Sequence, residues 1–196
     1  VTATEGGTAE VALVNTVLAM NDATCGGGIA LRADGAGSAM DLRLLNATVG
    51  WDDAGTGGGI IAEGVNNGAV TVEATNQVVW GNRSVIGEDV HIVQESGGTV
   101  QGGAAFSDIG GVSFGGDSAG SWNSAVTVVD ADPLYANPGL LDLRLLEGSP
   151  DIDTADDVDG LTEDFEGEAR PQGAGVDIGA DERAEAPAFT TLKLTS

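Results

Sequence analysis

The chain has 196 residues, of which 41% are hydrophobic and 32 are glycine, a composition that fits one domain with many turns and argues against long helices. Thirty-one acidic residues outnumber seven basic ones, giving a net charge of −24, and this disfavours nucleic acid as a partner because phosphate binding needs clustered lysine and arginine. No apolar run approaches the roughly 18 residues of a transmembrane helix, so no membrane span is expected.

A repeat of about 30 residues begins near the N-terminus. Its first marker is an asparagine, which recurs at intervals of 31 and 30 residues. An amide or acid follows six residues later, and a glycine follows five residues after that. The three sets are Asn15, Asn46 and Asn76; Asn21, Asp52 and Asn82; and Gly26, Gly57 and Gly87. Self-similarity at this period is typical of solenoid proteins.

Hydrophobic residues alternate with polar ones before each asparagine and again after each glycine, as in half-buried strands. The inward positions of the first strand are Ala9, Val11 and Leu13, then Met40, Leu42 and Leu44, then Val70, Val72 and Ala74. Those of the second are Ile29 and Leu31, Ile60 and Ala62, and Val90 and Ile92; its outward positions include Ile61, His91 and Val93. An apolar pair after each asparagine adds a third strand. Stacking of equivalent strands predicts three parallel sheets around a narrow core, which is a parallel β-helix.

The repeats divide the chain into predicted units. Regular rungs cover residues 9–37, 38–67 and 68–98, and an irregular fourth covers 99–129, in which Ser107 lies at the place of the marker asparagine. A loop-rich C-terminal cap is predicted for 130–185, and a strand or tail for 186–196. Outward pairs on neighbouring rungs, Arg43 with Glu73 and Arg32 with Glu63, have opposite charges.

Motifs in the C-terminal part carry a family resemblance. They are DPLY at 132–135, LDLRL at 141–145, GSPDID at 148–153, TEDFEGEARP at 162–171 and GVDIGADE at 175–182. This series resembles the choice-of-anchor Q domain proteins of the pectate-lyase-like superfamily, and the GGGI repeats resemble polymorphic outer-membrane-protein repeats. The resemblance implies a right-handed parallel β-helix, in agreement with the handedness of crossover connections, and it implies secretion and display at the cell surface.

The N-terminal end of the predicted helix has no obvious cap. Either residues 1–10 fold over the first rung or upstream rungs are missing, and we expect a processed piece of a longer chain. An uncovered rung presents unpaired backbone groups, so self-assembly is predicted through this N-terminal edge. The polar cap at 151–182 is expected to block the other end, and residues 189–194 are the best candidate for a donor strand.

Catalytic candidates are few. Asp52 and Asp53 near Arg83 are the closest approach to the acid and base groups of the calcium-dependent lyases that share this fold, but Asp52 also occupies the repeat position of Asn21 and Asn82. That position favours a role in a side-chain ladder. His91 lacks the glycine neighbours of the related hydrolases and is predicted to be a surface histidine.

An acidic run is the candidate metal site. Asp153, Asp156, Asp157 and Asp159 could offer several of the six to eight oxygens that calcium prefers. The alternative is a solvated acidic loop. Asp153, Asp164, Asp177 and Asp181 belong to the resembled motif, and for these four we expect hydrogen bonds to backbone N–H groups.

Trp51 and Trp80 are the candidate ligand-binding residues, since indole rings stack on sugars, although packing against a turn is favoured. The sequence therefore predicts a secreted or cell-surface structural protein, a stalk, adhesin or filament component without catalysis. It needs no cofactor, with calcium as the one candidate, and its partners would be polysaccharides or other surface components. The alternatives are a fragment of a polysaccharide lyase or glycoside hydrolase, and a glycan-binding module.

Overall fold

The computed structural model describes residues 1–117 and 120–184, and within 125–128 only the backbone. Its strands form a parallel β-solenoid of about four turns. In chain order they are β1 Thr2–Thr4, β2 Thr8–Val14, β3 Val17–Ala19, β4 Asp22–Cys25, β5 Ile29–Asp34, β6 Ala39–Leu45, β7 Thr48–Gly50, β8 Asp53–Thr56, β9 Ile60–Val65, β10 Ala69–Thr75, β11 Val78–Trp80, β12 Arg83–Ile86, β13 Val90–Glu95, β14 Thr99–Ile109, β15 Val112–Gly116, β16 Ser121–Val129, β17 Tyr135–Asn137 and β18 Asp142–Leu145. A single 3₁₀ turn, Pro138–Leu140, joins the last two strands.

Three parallel sheets run along the solenoid, as predicted. Sheet A has the order β1-β5-β9-β13-β15, and sheet C has the order β12-β8-β4. Sheet B contains β2, β6, β10, β14 and β16 on one arm and β3, β7 and β11 on the other, because the long strand β14 pairs with both arms. Each of the first three turns therefore has four short strands. The sequence pattern predicted about three, because sheet C is half-exposed and lacks apolar alternation.

Equivalent residues of successive turns stack in the predicted register. Val11, Leu42 and Val72 are partners across β2, β6 and β10, and Leu31 pairs with Ala62 across β5 and β9. Leu42, Val72, Leu31 and Ala62 are each at most 2% exposed. The sequence prediction of the core is thus confirmed, and the solenoid interior is one continuous apolar cluster.

The marker asparagines turn the chain between the two arms of sheet B. Asn15, Asn46 and Asn76 all have positive φ angles, of 46°, 46° and 57°, a conformation that asparagine tolerates better than most residues. Asn76 Nδ2 donates to Asn46 Oδ1 at 3.0 Å. In the fourth turn the predicted alignment is wrong by one residue: Phe106 takes the asparagine position with φ of 49°, and Ser107 aligns with Gln77, whose backbone N–H donates to Ser107 Oγ at 3.0 Å.

The glycine triplets have a steric cause. A Cβ at Gly28 would lie 2.7 Å from Asp52 Oδ2, and one at Gly59 would lie 2.7 Å from Asn82 Nδ2. The chain therefore passes directly against the polar corner residue of the following turn. Only the first glycine of each triplet, such as Gly57 with φ of 63°, also needs a left-handed backbone.

The predicted C-terminal cap lies in a different place from the one expected. Residues 130–184, here called the flank segment, do not close the end of the solenoid but run along its side, over β3, β7 and β11. They contact every turn: Asn15 Nδ2 donates to Glu163 O, Ala180 N to Thr48 Oγ1, Gly179 N to Asn76 O, and Ala131 N to Asp108 Oδ1. The expectation that this segment blocks stacking at one end is thus wrong.

A second apolar cluster explains why the flank segment docks there. Val78, on the outer face of β11, is fully buried. It forms one cluster with four buried residues of the flank segment, Tyr135, Leu143, Leu145 and Ile178. Partly buried residues, among them Val17, Trp51 and Trp80, pack against this cluster. The sequence pattern assigned inward and outward faces to each strand without allowing for a covering layer. Because the outer face at the β3–β7–β11 arm is also apolar, it needs such a layer.

The first residues of the chain form part of the solenoid. Strand β1 pairs with β5, with Ala3 opposite Ala33, so it adds one strand to sheet A and does not fold over β2. Strands β2, β6, β10 and β14, with which the four turns begin, start at Thr8, Ala39, Ala69 and Thr99. The predicted C-terminal strand or tail, 186–196, lies outside the described residues, as does the donor segment at 189–194. No helix in the part of the chain that the structure describes has the length and apolarity to cross a membrane.

Candidate functional site

Asp52 lies in a buried side-chain ladder at the corner between β7 and β8. Its Oδ1 accepts hydrogen bonds at 2.8 Å from both the backbone N–H and the Nδ2 of Asn21, and its own N–H donates to Asn82 Oδ1 at 3.0 Å. The side chain is fully buried, and this burial raises the pKa of Asp52. Asp52 therefore acts as a link between turns and is shielded from any substrate in solution.

Asp89 completes this ladder in the third turn. Its Oδ1 accepts from Asn82 N at 3.2 Å and from Asn82 Nδ2 at 3.0 Å. Burial raises the pKa of Asp89 to about 6, with smaller contributions from the charges of Glu88 and Asp130. The repeat pattern does not reveal the role of Asp89, because Asp89 lies seven residues from Asn82 in the same turn and not one repeat away.

Three of the residues singled out from the sequence meet in one open groove. Trp51, Asp53 and Arg83, together with Met20 and Asp22, line a cavity of about 520 Å³, here called the corner groove. Arg83 Nη2 lies 3.5 Å from Asp53 Oδ2, and both side chains are largely exposed. The groove thus offers a guanidinium, two carboxylates and part of the Trp51 side chain to a solute.

The two candidate tryptophans are not equivalent. The ring of Trp51 makes an edge-on contact with Tyr135, with centroids 5.4 Å apart and planes at 71°, so it both supports the flank segment and lines the corner groove. Trp80 packs at the margin of the second apolar cluster. It is not among the residues that line the groove. Of the two tryptophans predicted as ligand-binding residues, only Trp51 therefore lines the corner groove.

The four acids of the predicted calcium loop have separate surroundings. Asp153 Oδ1 accepts from Gly175 N at 2.8 Å, and the backbone of Asp156 is bound to Asn76. Among residues 1–117 and 120–184, no group of three or more Asp, Glu, His or Cys side chains converges as a metal site would require. Asp153, Asp156, Asp157 and Asp159 are thus not brought to a common centre, and calcium at this loop stays a prediction.

The expected role of the motif carboxylates is confirmed for three of them. Asp164 accepts hydrogen bonds from the backbone N–H groups of Glu166, Glu168 and Glu182. Asp153 and Asp177 likewise accept from backbone N–H groups. Asp181 differs, since its Oδ2 is buried without a donor, and burial raises its pKa to about 7.

A buried ion pair holds the end of the flank segment together. Arg170 Nη1 lies 3.0 Å from Glu182 Oε2, and both side chains are at most 1% exposed. The guanidinium also donates to the carbonyl oxygens of Asp177 and Gly179 at 3.1 and 2.8 Å. Arg170 and Glu182 both belong to the motifs at 162–171 and 175–182. Their pairing could not be predicted, because spacing along the sequence does not reveal which charges meet in a loop.

His91 was predicted to lie on the surface, and this is wrong: the residue is 4% exposed. Its Nδ1 lies 2.8 Å from Ser113 Oγ, which in turn lies 3.2 Å from the carbonyl oxygen of Val90. Burial lowers the pKa of His91. The outward neighbours Ile61 and Val93 are also buried. Because β15 brings Ser113 beside His91, this contact joins the third and fourth turns.

A second groove lies on the outer face of sheet B. It is a shallow trough of about 470 Å³ across β10, β14 and β16, lined by residues that include Thr71, Glu73, Gln101 and Asn123. At its side, Arg43 Nε lies 3.1 Å from Glu73 Oε2, and on sheet A Arg32 Nη1 lies 3.2 Å from Glu63 Oε2. The predicted pairing of opposite charges on neighbouring turns is thereby confirmed.

Comparison of the chain with protein-family models, with curated proteins and with solved structures gives no match.

Proposed function

We propose that this chain is a structural, non-catalytic protein of the cell surface or extracellular space, where it acts as a stalk, adhesin or filament component. The observation that supports this role is the flank segment, which contacts all four turns of the solenoid. Four contacts carry the argument, at Asn15, Thr48, Asn76 and Asp108.

Contacts between turns determine how a solenoid unfolds. Each turn of a solenoid contacts only its neighbours, so turns can be lost one at a time from an end. A segment that binds all turns at once couples them, because no turn can leave without breaking contacts with the flank segment. Resistance to gradual unwinding is the property that a stalk or filament component needs.

Self-assembly through the N-terminal edge is part of this proposal. Within the described residues β2 pairs only with β6, and β3 only with β7. A strand of a second chain could extend sheet B at this edge, whereas the high negative charge opposes side-by-side association. Mass measurement by light scattering at low and high salt tests this, and a monomer under both conditions contradicts it.

The main test separates a structural role from the lyase or hydrolase alternative. The purified chain should leave a panel of neutral and acidic polysaccharides unchanged, with and without calcium, and an antibody to it should label the intact cell surface or the culture medium. Depolymerisation that is lost in Asp53→Ala or Arg83→Ala would reject the structural proposal.

Glycan binding in the corner groove is a second candidate function. It rests on the combination of the Trp51 ring with the Asp53–Arg83 pair, because sugars stack on aromatic faces and bind through their hydroxyl groups to charged side chains. Arg83→Ala should weaken binding to an immobilised glycan array, and Arg43→Ala on sheet B is the matched control. Equal binding by both variants would exclude the groove.

A further inference from the structure

The interior of the first turn is covered on one side only. Strand β2 is the last strand of its arm of sheet B and, among the described residues, pairs with β6 alone. Its inward side chains pack against the core but stay partly exposed, whereas their partners on β6 are at most 2% exposed. These inward residues are Ala9, Val11 and Leu13, opposite Met40, Leu42 and Leu44. A free sheet edge beside a partly uncovered core is a place where another strand can be added.

The described part of the chain ends close to this edge. Asn15, the residue after β2, donates from its Nδ2 to Glu163 O at 2.6 Å. The next residue, Asp164, accepts from Glu182 N at 3.1 Å. The described residues end at 184, so four residues separate them from the segment 189–194. An extended residue spans about 3.3–3.6 Å, and this linker can therefore reach on the order of 15 Å. The segment can thus begin beside the C-terminal end of β2 and run back along it, antiparallel.

The sequence of 189–194, FTTLKL, has the alternation of a strand with one apolar face. Residues directly opposite one another in an antiparallel pair project to the same face. One register with β2 brings apolar residues together: Phe189 opposite Val14, Leu192 opposite Val11, and Leu194 opposite Ala9. Leu192 and Leu194 would then cover the inward side chains, and Phe189 would cover Val14, which is 46% exposed. A shift by one residue would turn both leucines to the outer face.

Charge selects the same register. Lys193 is the only lysine of a chain with a net charge of −24, and in this register it faces Glu10. Glu10 is exposed on the outer face of β2, and its partner on β6, Asp41, is exposed as well. A cation at this place relieves the repulsion between two carboxylates on neighbouring strands. Moving the segment by two residues in either direction would place Lys193 opposite Ala12 or Thr8, which carry no charge.

We propose that residues 189–194 form an antiparallel strand on β2 of their own chain and thereby cover the interior of the first turn. The occupant is the chain's own segment because a short linker gives it an effective concentration on the order of millimolar, above that of a second copy in dilute solution. The inference goes beyond the proposed function, since self-assembly through this edge then requires a second chain to compete with the segment.

Disulfide trapping tests the register. In a Cys25→Ser background, Ala12→Cys with Thr191→Cys places two thiols at directly opposite outward positions, and mild oxidation of a dilute sample should link them within one chain. Ala12→Cys with Thr190→Cys is the matched control, because Thr190 would face inward. Mass spectrometry of proteolytic fragments identifies the linked residues. Equal linkage of both pairs, or a disulfide only between chains, would overturn the proposal.

Hydrogen exchange keeps the proposal falsifiable if the introduced cysteines distort the strand. Amides of β2 should exchange roughly tenfold faster or more in a chain shortened to residues 1–187 than in the full chain, while those of β10 stay unchanged. Lys193→Glu should also speed up exchange in β2, and the addition of Glu10→Lys should restore protection. Unchanged exchange of β2 in the shortened chain would overturn the proposal.

Light scattering separates this inference from the proposed function. If the segment covers the edge of its own chain, the shortened chain should self-associate more strongly than the full chain. Weaker self-association after shortening would mean that the segment acts between copies, which overturns the inference and leaves the proposed function standing. If neither chain associates, self-assembly is excluded, while faster exchange of β2 in the shortened chain still supports the inference.

Discussion

Asn76 and Asp156 exchange two hydrogen bonds across the boundary between the third turn and the flank segment. Asn76 Nδ2 donates to Asp156 O at 2.8 Å, and Asp156 N donates to Asn76 Oδ1 at 2.9 Å. The same Nδ2 also donates to Asn46 of the turn below. A single amide thus joins two turns and the segment that covers them.

The first prediction concerns this amide. Asn76→Gly keeps the left-handed backbone but removes all three hydrogen bonds, so it should lower the free energy of unfolding by about 2–4 kcal/mol. Asn66→Gly is the matched control, because Asn66 has a similar φ of 50° at an exposed turn, and it should have little effect. Urea denaturation of both variants checks this, and equal stabilities would contradict it.

The second prediction concerns the buried Arg170–Glu182 pair. Arg170→Met leaves a buried carboxylate without its partner and should cost about 3–5 kcal/mol. Arg144→Met is the control, since Arg144 forms an ion pair with Asp142 at 2.6 Å while remaining 70% exposed, and it should give no measurable change. Thermal unfolding of the two variants tests this prediction. Similar losses of stability in both would show that the burial of the Arg170–Glu182 pair does not cause the larger effect.

The third prediction concerns pH. Burial raises the pKa of Asp89 from its ordinary value of 3.8 to about 6, so between these two pH values the folded state holds a proton that the unfolded state releases. The stability from this group is therefore complete below about pH 4 and is lost as pH rises through 6, a change of about 3 kcal/mol. Asp181, with its pKa raised to about 7, acts in the same direction.

Asp89→Asn tests this sign. The amide oxygen can still accept the hydrogen bonds from Asn82, but it needs no proton, so the variant should exceed the wild type in stability at pH 7 and approach it at pH 4. Asp53→Asn, at the exposed corner groove, should follow the wild-type profile. If Asp89→Asn is less stable than the wild type at pH 7, the raised pKa of Asp89 is contradicted.

The fourth prediction concerns the glycine triplets. A Cβ at Gly59 would meet Asp89 O at 2.6 Å and Asn82 Nδ2 at 2.7 Å, whereas a Cβ at Gly111 would meet nothing within 4 Å. Gly59→Ala should therefore cost about 1–3 kcal/mol through overpacking, and Gly111→Ala should be close to neutral. Equal chemical-denaturation midpoints for the two variants would show that Asn82 and Asp89 can shift to accommodate the added methyl group.

The features that could be predicted from the sequence are those that repeat. The stacking of Val11, Leu42 and Val72 and the asparagine turns follow from a 30-residue period, because each turn solves the same packing problem. The position of the flank segment could not be predicted in this way. It depends on long-range contacts such as Ala180 with Thr48, which no local pattern encodes.

The same distinction applies to the candidate site. Asp53 and Arg83 could be paired from the sequence because they lie one repeat apart, and the structure brings them together. The positions of Asp89, His91 and Arg170 depend on the irregular fourth turn and on loops of the flank segment. The burial of these three residues could therefore not be predicted from the sequence and is seen only in the three-dimensional structure.

Native-state hydrogen exchange followed by mass spectrometry tests the central claim that the flank segment couples the turns. In the wild type, amides of β7 and β11 should open with the same free energy as those of residues 151–182. In Arg170→Met both groups should lose protection together. If the flank segment exchanges at a much lower free energy while β7 and β11 stay fully protected, the turns are stable without it and the account of a coupled solenoid is wrong.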